Sequence, residues 1–232
     1  MTNSADRPTP RREFLGQLAS SAAVLAGTAC AAPVVASTTT APQQATPAGG
    51  STVWDDSWFG RLTAKHKAVF DAADIDEGAV LGHAIRYVTG MRDALNAVDG
   101  DVQAVLVIRH TAVPLAFNDA MWSKYEIGKL RNVKDGADPA TRNPYLNSRR
   151  PSTGDRPSAT LAWFAAHGHI LLGCGVAAQG LASQIATARS LDSKTVFDEM
   201  KANLVPGMTL QPNGVYATIR AQEAGCVFFK SA

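Results

Sequence analysis

Over most of this chain, short apolar runs alternate with longer segments whose apolar residues recur at helical spacing. The runs KAVFD (67–71), VQAVLVIRH (102–110), HILLGC (169–174), GMTLQP (207–212) and CVFFK (226–230) have the length and bounding residues of buried strands. Between them, 78–98, 119–130, 159–167, 175–189, 195–202 and 214–224 have the spacing of amphipathic helices. Within 119–130 the apolar stripe is Met121, Trp122, Tyr125, Ile127 and Leu130. Strand and helix in alternation predict a mainly parallel sheet with helices on both faces, an α/β fold. One segment breaks the rhythm: the polar stretch RNVKDGADPATRNPYLNSRRPSTGDRPS, 131–158, is too long for an ordinary connection and reads as a functional or mobile loop.

The amino-terminal residues do not share this rhythm. TPRREFLGQLASSAAVLAGTACAAPVVAS carries paired arginines, then Phe14 and Leu15, a weakly apolar run, and Val34 and Ala36 at positions compatible with cleavage. It has the form of a twin-arginine export signal over 1–36, which predicts a periplasmic or otherwise exported protein. Rival readings are an uncleaved membrane anchor and lipid attachment at Cys30. The polar, Pro- and Gly-containing 37–52 reads as a linker, leaving 53–232 as the folded domain.

At 232 residues and 46% hydrophobic composition, the chain can build one substantial core. The net charge is +2, of which the two acids and three arginines of 1–36 supply +1, so no broad basic surface for nucleic acid is indicated. Removal of the signal would leave Cys174 and Cys226. These begin and end different strands, which separates them by roughly 13 Å along a parallel sheet at about 3.3 Å per residue. A disulfide needs Cα atoms within about 7 Å, so both read as free thiols.

Ligands of open parallel sheets bind outside the carboxyl ends of the strands. Those ends carry Asp71, then Arg109 and His110, then Cys174 followed by Gly175, then Gln211, Pro212 and Asn213. Cys174 is the candidate nucleophile. A cationic neighbour such as Arg109 or His110, and a helix beginning at Gly175, would both favour a thiolate. The competing reading makes Cys174 a small core residue.

His167 and His169 suggest a metal, but His169 would lie about 16 Å from Cys174 in one extended strand, so no metal site is expected. Trp122 and Tyr125 read as core or subunit interface rather than a ligand platform. Arg142, Arg149, Arg150 and Arg156 read as solvated loop residues. Neither a phosphate-cradling loop, nor a dinucleotide fingerprint, nor a Gly-x-Ser-x-Gly elbow occurs, and no cofactor is implied.

The segments AVLVIRHTAVPLAFNDAMWSKYEIGK, HGHILLGCGVAAQG and LVPGMTLQPNGVYATIRAQEAGCVFFK together resemble the DsrE/DsrF-like family of sulfur-relay proteins, in an exported branch with a twin-arginine signal. The resemblance spans 65–230 and is strongest from Gly168 onward; the 132–158 loop departs from the compact pattern. It implies an α/β three-layer sandwich with a mainly parallel flavodoxin-like sheet, assembled into homo- or hetero-oligomers, with a cysteine matching Cys174 that carries a persulfide between a donor and an acceptor protein.

Two functions are therefore expected. One is a sulfur-transfer or persulfide carrier using Cys174, with Arg109 and His110 beside it. The other is a non-catalytic, oligomeric module that binds a small molecule or protein in a groove lined by Asp71, Gly175, Gln211 and Asn213. Neither involves nucleic acid or, once the signal is cleaved, a stable membrane span.

Overall fold

A computed structural model describes residues 54–147 and 159–231. The signal, the linker and Arg149, Arg150 and Arg156 of the loop lie outside the described residues. Five strands form one parallel sheet: β1 (His66–Ala72), β2 (Val102–Ile108), β5 (Ile170–Cys174), β6 (Met208–Gln211) and β7 (Val227–Lys230). Their spatial order is β6-β5-β2-β1-β7, and every pair is parallel. Two-residue strands β3 (Lys134–Asp135) and β4 (Asp138–Pro139) make a separate antiparallel ribbon.

Helices α1 (Ala79–Leu95), α2 (Asp119–Lys124), α3 (Ile127–Leu130), α4 (Leu161–Ala166), α5 (Gly175–Arg189), α6 (Ser193–Ala202) and α7 (Gly214–Glu223) complete the fold, with a 3-10 segment over His110–Ala116. Among the described residues no helix is long and apolar enough to cross a membrane.

Side-chain alternation divides the core into two layers. Ala68, Phe70, Ala104, Leu106, Ile108 and Leu171 meet the inner faces of α1 and α5, with Leu81, Leu181 and Ile185 among the helical partners. On the other face Val69, Val105, Val107, Ile170 and Leu172 pack on Ala217 and Ala221 of α7, and on Trp58 and Leu62. The chain is thus a three-layer α/β sandwich of flavodoxin-like form.

The asymmetry follows from strand order. β1, β2, β5 and β6 are laid down in one direction, and only the link through α7 must cross back to put β7 beside β1. That helix covers the second face together with Trp58 and Leu62. Its small buried residues, Gly214, Ala217 and Ala221, let it approach the sheet closely. Each fully buried leucine or isoleucine in the layers contributes roughly 1.5–3 kcal/mol over its exposed state.

Several expected elements change on folding. The 119–130 helix is interrupted at Tyr125 and Glu126, the latter left-handed at φ 48°, giving α2 and α3. The break brings Gly128 against the Ala140 backbone, where a Cβ would stand 2.1 Å from the carbonyl oxygen. His110, expected within the second strand, lies beyond its end at φ 52° and opens the 3-10 segment.

The described part of the long loop is packed. Asn143 is buried, its amide donating to the carbonyl oxygens of Leu115 (3.0 Å) and Phe117 (2.9 Å), while its backbone N–H donates to Asp119 Oδ1 at 2.9 Å. One polar side chain thereby satisfies a turn and tethers the loop to the core.

Candidate functional site

Strand register brings one polar residue from each strand onto the face covered by α7. Cys174 pairs with Gln211 across β5 and β6, and Gly173 pairs with Ile108, so Arg109 is the next residue opposite Cys174. Arg109 keeps the extended backbone of β2, with φ −138° and ψ 176°, and so continues the alternation. On the far side Asp71 pairs with Val107 of β2 and with Lys230 of β7. Gln211, Cys174 and Arg109 therefore stand level at the carboxyl edge of the sheet, on strands about 4.8 Å apart, while Asp71 and Lys230 stand level with each other two residues further back on the same face.

Arg109 and Asp71 are locked together. Nε donates to Oδ1 at 2.6 Å and Nη2 donates to Oδ2 at 2.8 Å, a two-pronged pairing that fixes the guanidinium plane. The Asp71 carboxylate holds Arg109 even more firmly charged than a free arginine, against the opposing effect of burial, with smaller contributions from Cys174 and Asp74.

Gly214 makes this position available. A Cβ there would stand 2.6 Å from both Cβ and Cδ of Arg109. The arginine stem therefore passes directly beneath the first residue of α7.

Cys174 occupies the junction of β5 and α5 and caps the helix. Its Sγ accepts a hydrogen bond from Ala177 N–H at 3.4 Å. The sulfur thus faces the positive end of a 15-residue helix. Gly175 permits the tight exit: a Cβ would meet the Gln211 carbonyl oxygen at 2.8 Å and Cη2 of Trp54 at 2.9 Å. Trp54 accordingly lies over the junction, and Cys174 is only 7% exposed.

Gln211 is fully buried; its Nε2 donates to the Asp55 carbonyl at 2.9 Å, while Oε1 has no partner among the described residues. Asn213 caps α7 by accepting from Tyr216 N–H at 2.8 Å. The Tyr216 hydroxyl in turn donates to Asp56 Oδ2 at 2.7 Å.

The sheet-end candidates therefore separate. Asp71, Arg109, Cys174 and Gln211 share one face, with Gly175 and Asn213 shaping the helix starts beside them. His110 stands apart as an exposed residue of the 3-10 segment. Three contributors were not anticipated: Gly214, Lys230 and Trp54. The turn PNG signals a helix start and could have drawn attention to Gly214, whereas nothing periodic marks Trp54.

Other candidates take structural places. Cys174 and Cys226 are both buried free thiols, at opposite ends of their strands. Burial pushes the Cys226 thiol up to about 11, with Lys67 opposing. His169 lies before the amino end of β5, where its Nδ1 accepts from Ala104 N–H at 3.2 Å. Burial, aided by His167 and Arg92, pushes its pKa down to about 4. The Trp122 indole donates to the Pro114 carbonyl at 3.0 Å, and the Tyr125 hydroxyl donates to Glu199 at 2.5 Å. Arg142 pairs with Asp135 at 3.6 Å.

No protein-family model matches this chain, and comparison with curated proteins finds no relative.

Proposed function

We propose that this protein is an exported carrier of sulfane sulfur that uses Cys174 as its acceptor. The supporting observation is the sulfur's setting: it faces the amino end of α5 and shares a sheet face with an arginine held charged by Asp71. A hydrogen-bond donor and a fixed positive charge thus stand on the sulfur's side of the sheet.

The Cys174 thiolate attacks the outer sulfur of a donor persulfide, R–S–SH. One sulfur–sulfur bond forms at Cys174 as the donor's breaks, and the thiolate R–S⁻ leaves. An acceptor thiolate then attacks the outer sulfur of the Cys174 persulfide and releases the Cys174 thiolate. No external oxidant or reductant enters either exchange. Arg109 stabilises the anionic sulfur before and after transfer, and Asp71 positions it. The resemblance to oligomeric sulfur-relay proteins agrees with this reading.

Incubation of the full chain with glutathione persulfide, followed by peptide mass spectrometry, tests the assignment. The expected result is one added sulfur on the Cys174 peptide, absent from Cys174→Ala. Sulfur loading that persists elsewhere in Cys174→Ala sinks the proposal.

A specific observation supports a second reading, a non-catalytic binding module. Trp54 covers the junction, and the buried Gln211 Oε1 on the neighbouring strand has no partner among the described residues. In that reading Trp54 gates a small polar ligand, and Cys174 packs. Retention of a co-purifying ligand by Cys174→Ser would favour it.

A further inference from the structure

A cleft of about 1000 Å³ opens beyond the carboxyl ends of β1 and β2, between the β1–α1 connection and the turn from α3 to β3. That end of an open parallel sheet is where ligands bind. The connection brings three acids to the cleft, Asp74, Asp76 and Glu77, and the turn brings two bases, Arg131 and Lys134. Ile75, Leu130 and Val133 line the same space with apolar surface.

The acids are held by the backbone. Asp76, Glu77 and Gly78 are three consecutive left-handed residues, at φ 34°, 49° and 79°. The Tyr145 ring lies against Gly78, where a Cβ would collide with it. Burial raises the Tyr145 pKa, and Glu77 and then Asp76 raise it further, so both carboxylates stand within electrostatic reach of the phenol. The Asp74 carboxylate accepts from the Thr111 hydroxyl.

Arg131 is the anomaly. Its side chain is half-buried, and its Nε is buried with no hydrogen-bond partner among the described residues. Burial lowers its pKa, and no carboxylate opposes that effect. No ion pair among the described residues joins the acids of the cleft to Arg131 or Lys134. A guanidinium withdrawn from water without a counter-charge lowers stability. Proteins keep such violations where a functional site uses them.

We propose that this cleft binds a linear zwitterion of dipeptide size, its ammonium at Asp76 and Glu77, its carboxylate at Arg131 and Lys134, and its body over Ile75, Leu130 and Val133. The ligand carboxylate supplies the counter-charge that Arg131 lacks. A plain anion would leave Asp76 and Glu77 uncompensated beside it, and a plain cation would leave Arg131 so. Because the two signs of the cleft do not meet, the ligand must hold its own charges apart. A free α-amino acid carries both on one carbon, whereas each further residue separates them by up to roughly 3.5 Å. The volume lies at the upper end of the range for small-molecule sites. Neither Cys174 nor Arg109 lines the cleft, so the site stands or falls independently of the sulfur-carrier proposal.

Calorimetric titration of the full chain with leucyl-leucine tests this, against leucine, N-acetyl-leucyl-leucine, which lacks the ammonium, and leucyl-leucinamide, which lacks the carboxylate. Leucyl-leucine should bind saturably and at least about tenfold more tightly than each of the three. Arg131→Met should abolish the preference over the amide and keep that over the acetylated twin. Asp76→Asn combined with Glu77→Gln, both at exposed positions, should do the reverse. Arg131→Met also removes an uncompensated charge, so it should raise the Tm of the unliganded chain, whereas an arginine with a structural role would lower it. No saturable binding, equal affinity for leucine or for either capped twin, preferences that ignore the matching substitution, or a lowered Tm in Arg131→Met overturns the proposal.

Discussion

Arg109 is joined to Asp71 by two parallel hydrogen bonds, 2.6 and 2.8 Å long, and stands on the sheet face of Cys174. Asp71 is almost fully buried, whereas Arg109 keeps a 30% exposed side chain, so loss of either partner has unequal consequences. Asp71→Ala leaves a partly hydrated guanidinium free to swing away, at a cost of about 2 kcal/mol to stability. Urea denaturation measures that cost. In the sulfur-carrier reading Asp71→Ala also slows persulfide loading of Cys174, while Arg109→Lys retains charge but loses the fork and recovers loading only in part.

His169 makes stability depend on pH. Its folded pKa of about 4 lies below the ordinary histidine value because burial disfavours the imidazolium. Between about pH 6.5 and 4 the unfolded chain binds a proton that the folded chain refuses, so this contribution is intact above that window and lost as pH falls through it. The full effect is of the order of 3 kcal/mol. His169→Asn, whose amide oxygen can replace Nδ1 as acceptor for Ala104, should flatten the decline in denaturation midpoint over that range.

The two thiols should respond differently to an alkylating reagent. Cys226 is buried with its pKa pushed up to about 11, so iodoacetamide at about pH 8 should leave it unmodified until the fold is denatured. Trp54 lies over the β5–α5 junction, and Trp54→Ala should raise the alkylation rate of Cys174 at least severalfold without changing that of Cys226. Equal acceleration of both would indicate general loosening instead.

Gly175 tests the junction itself. Gly175→Ala places a methyl 2.8 Å from a backbone carbonyl that cannot rotate away, and 2.9 Å from Trp54. The strand-to-helix turn must shift, destabilising the protein by about 1–3 kcal/mol, as thermal unfolding would show. Gly180→Ala is the control. It lies in the same helix with open space around it, so the higher helix propensity of alanine should be neutral to mildly stabilising.

Local pattern determined much of this architecture. The apolar runs ending at Asp71, Cys174 and Gln211 and the helix starting at Gly175 lie where hydrophobic spacing and glycine punctuation place them, because both signals act within a few residues. Strand order is different: it depends on contacts between segments far apart in sequence, and no local pattern encodes it. Only the assembled sheet put Arg109 beside Cys174 and Asp71 beside Lys230. Only the return of α7 across one face made Gly214 the roof of the arginine. His110 shows the same limit in reverse. The apolar run before it favours a continued strand, but the chain must leave the sheet after Ile108 to enter the 3-10 segment, and the left-handed turn at His110 carries that residue out of the row.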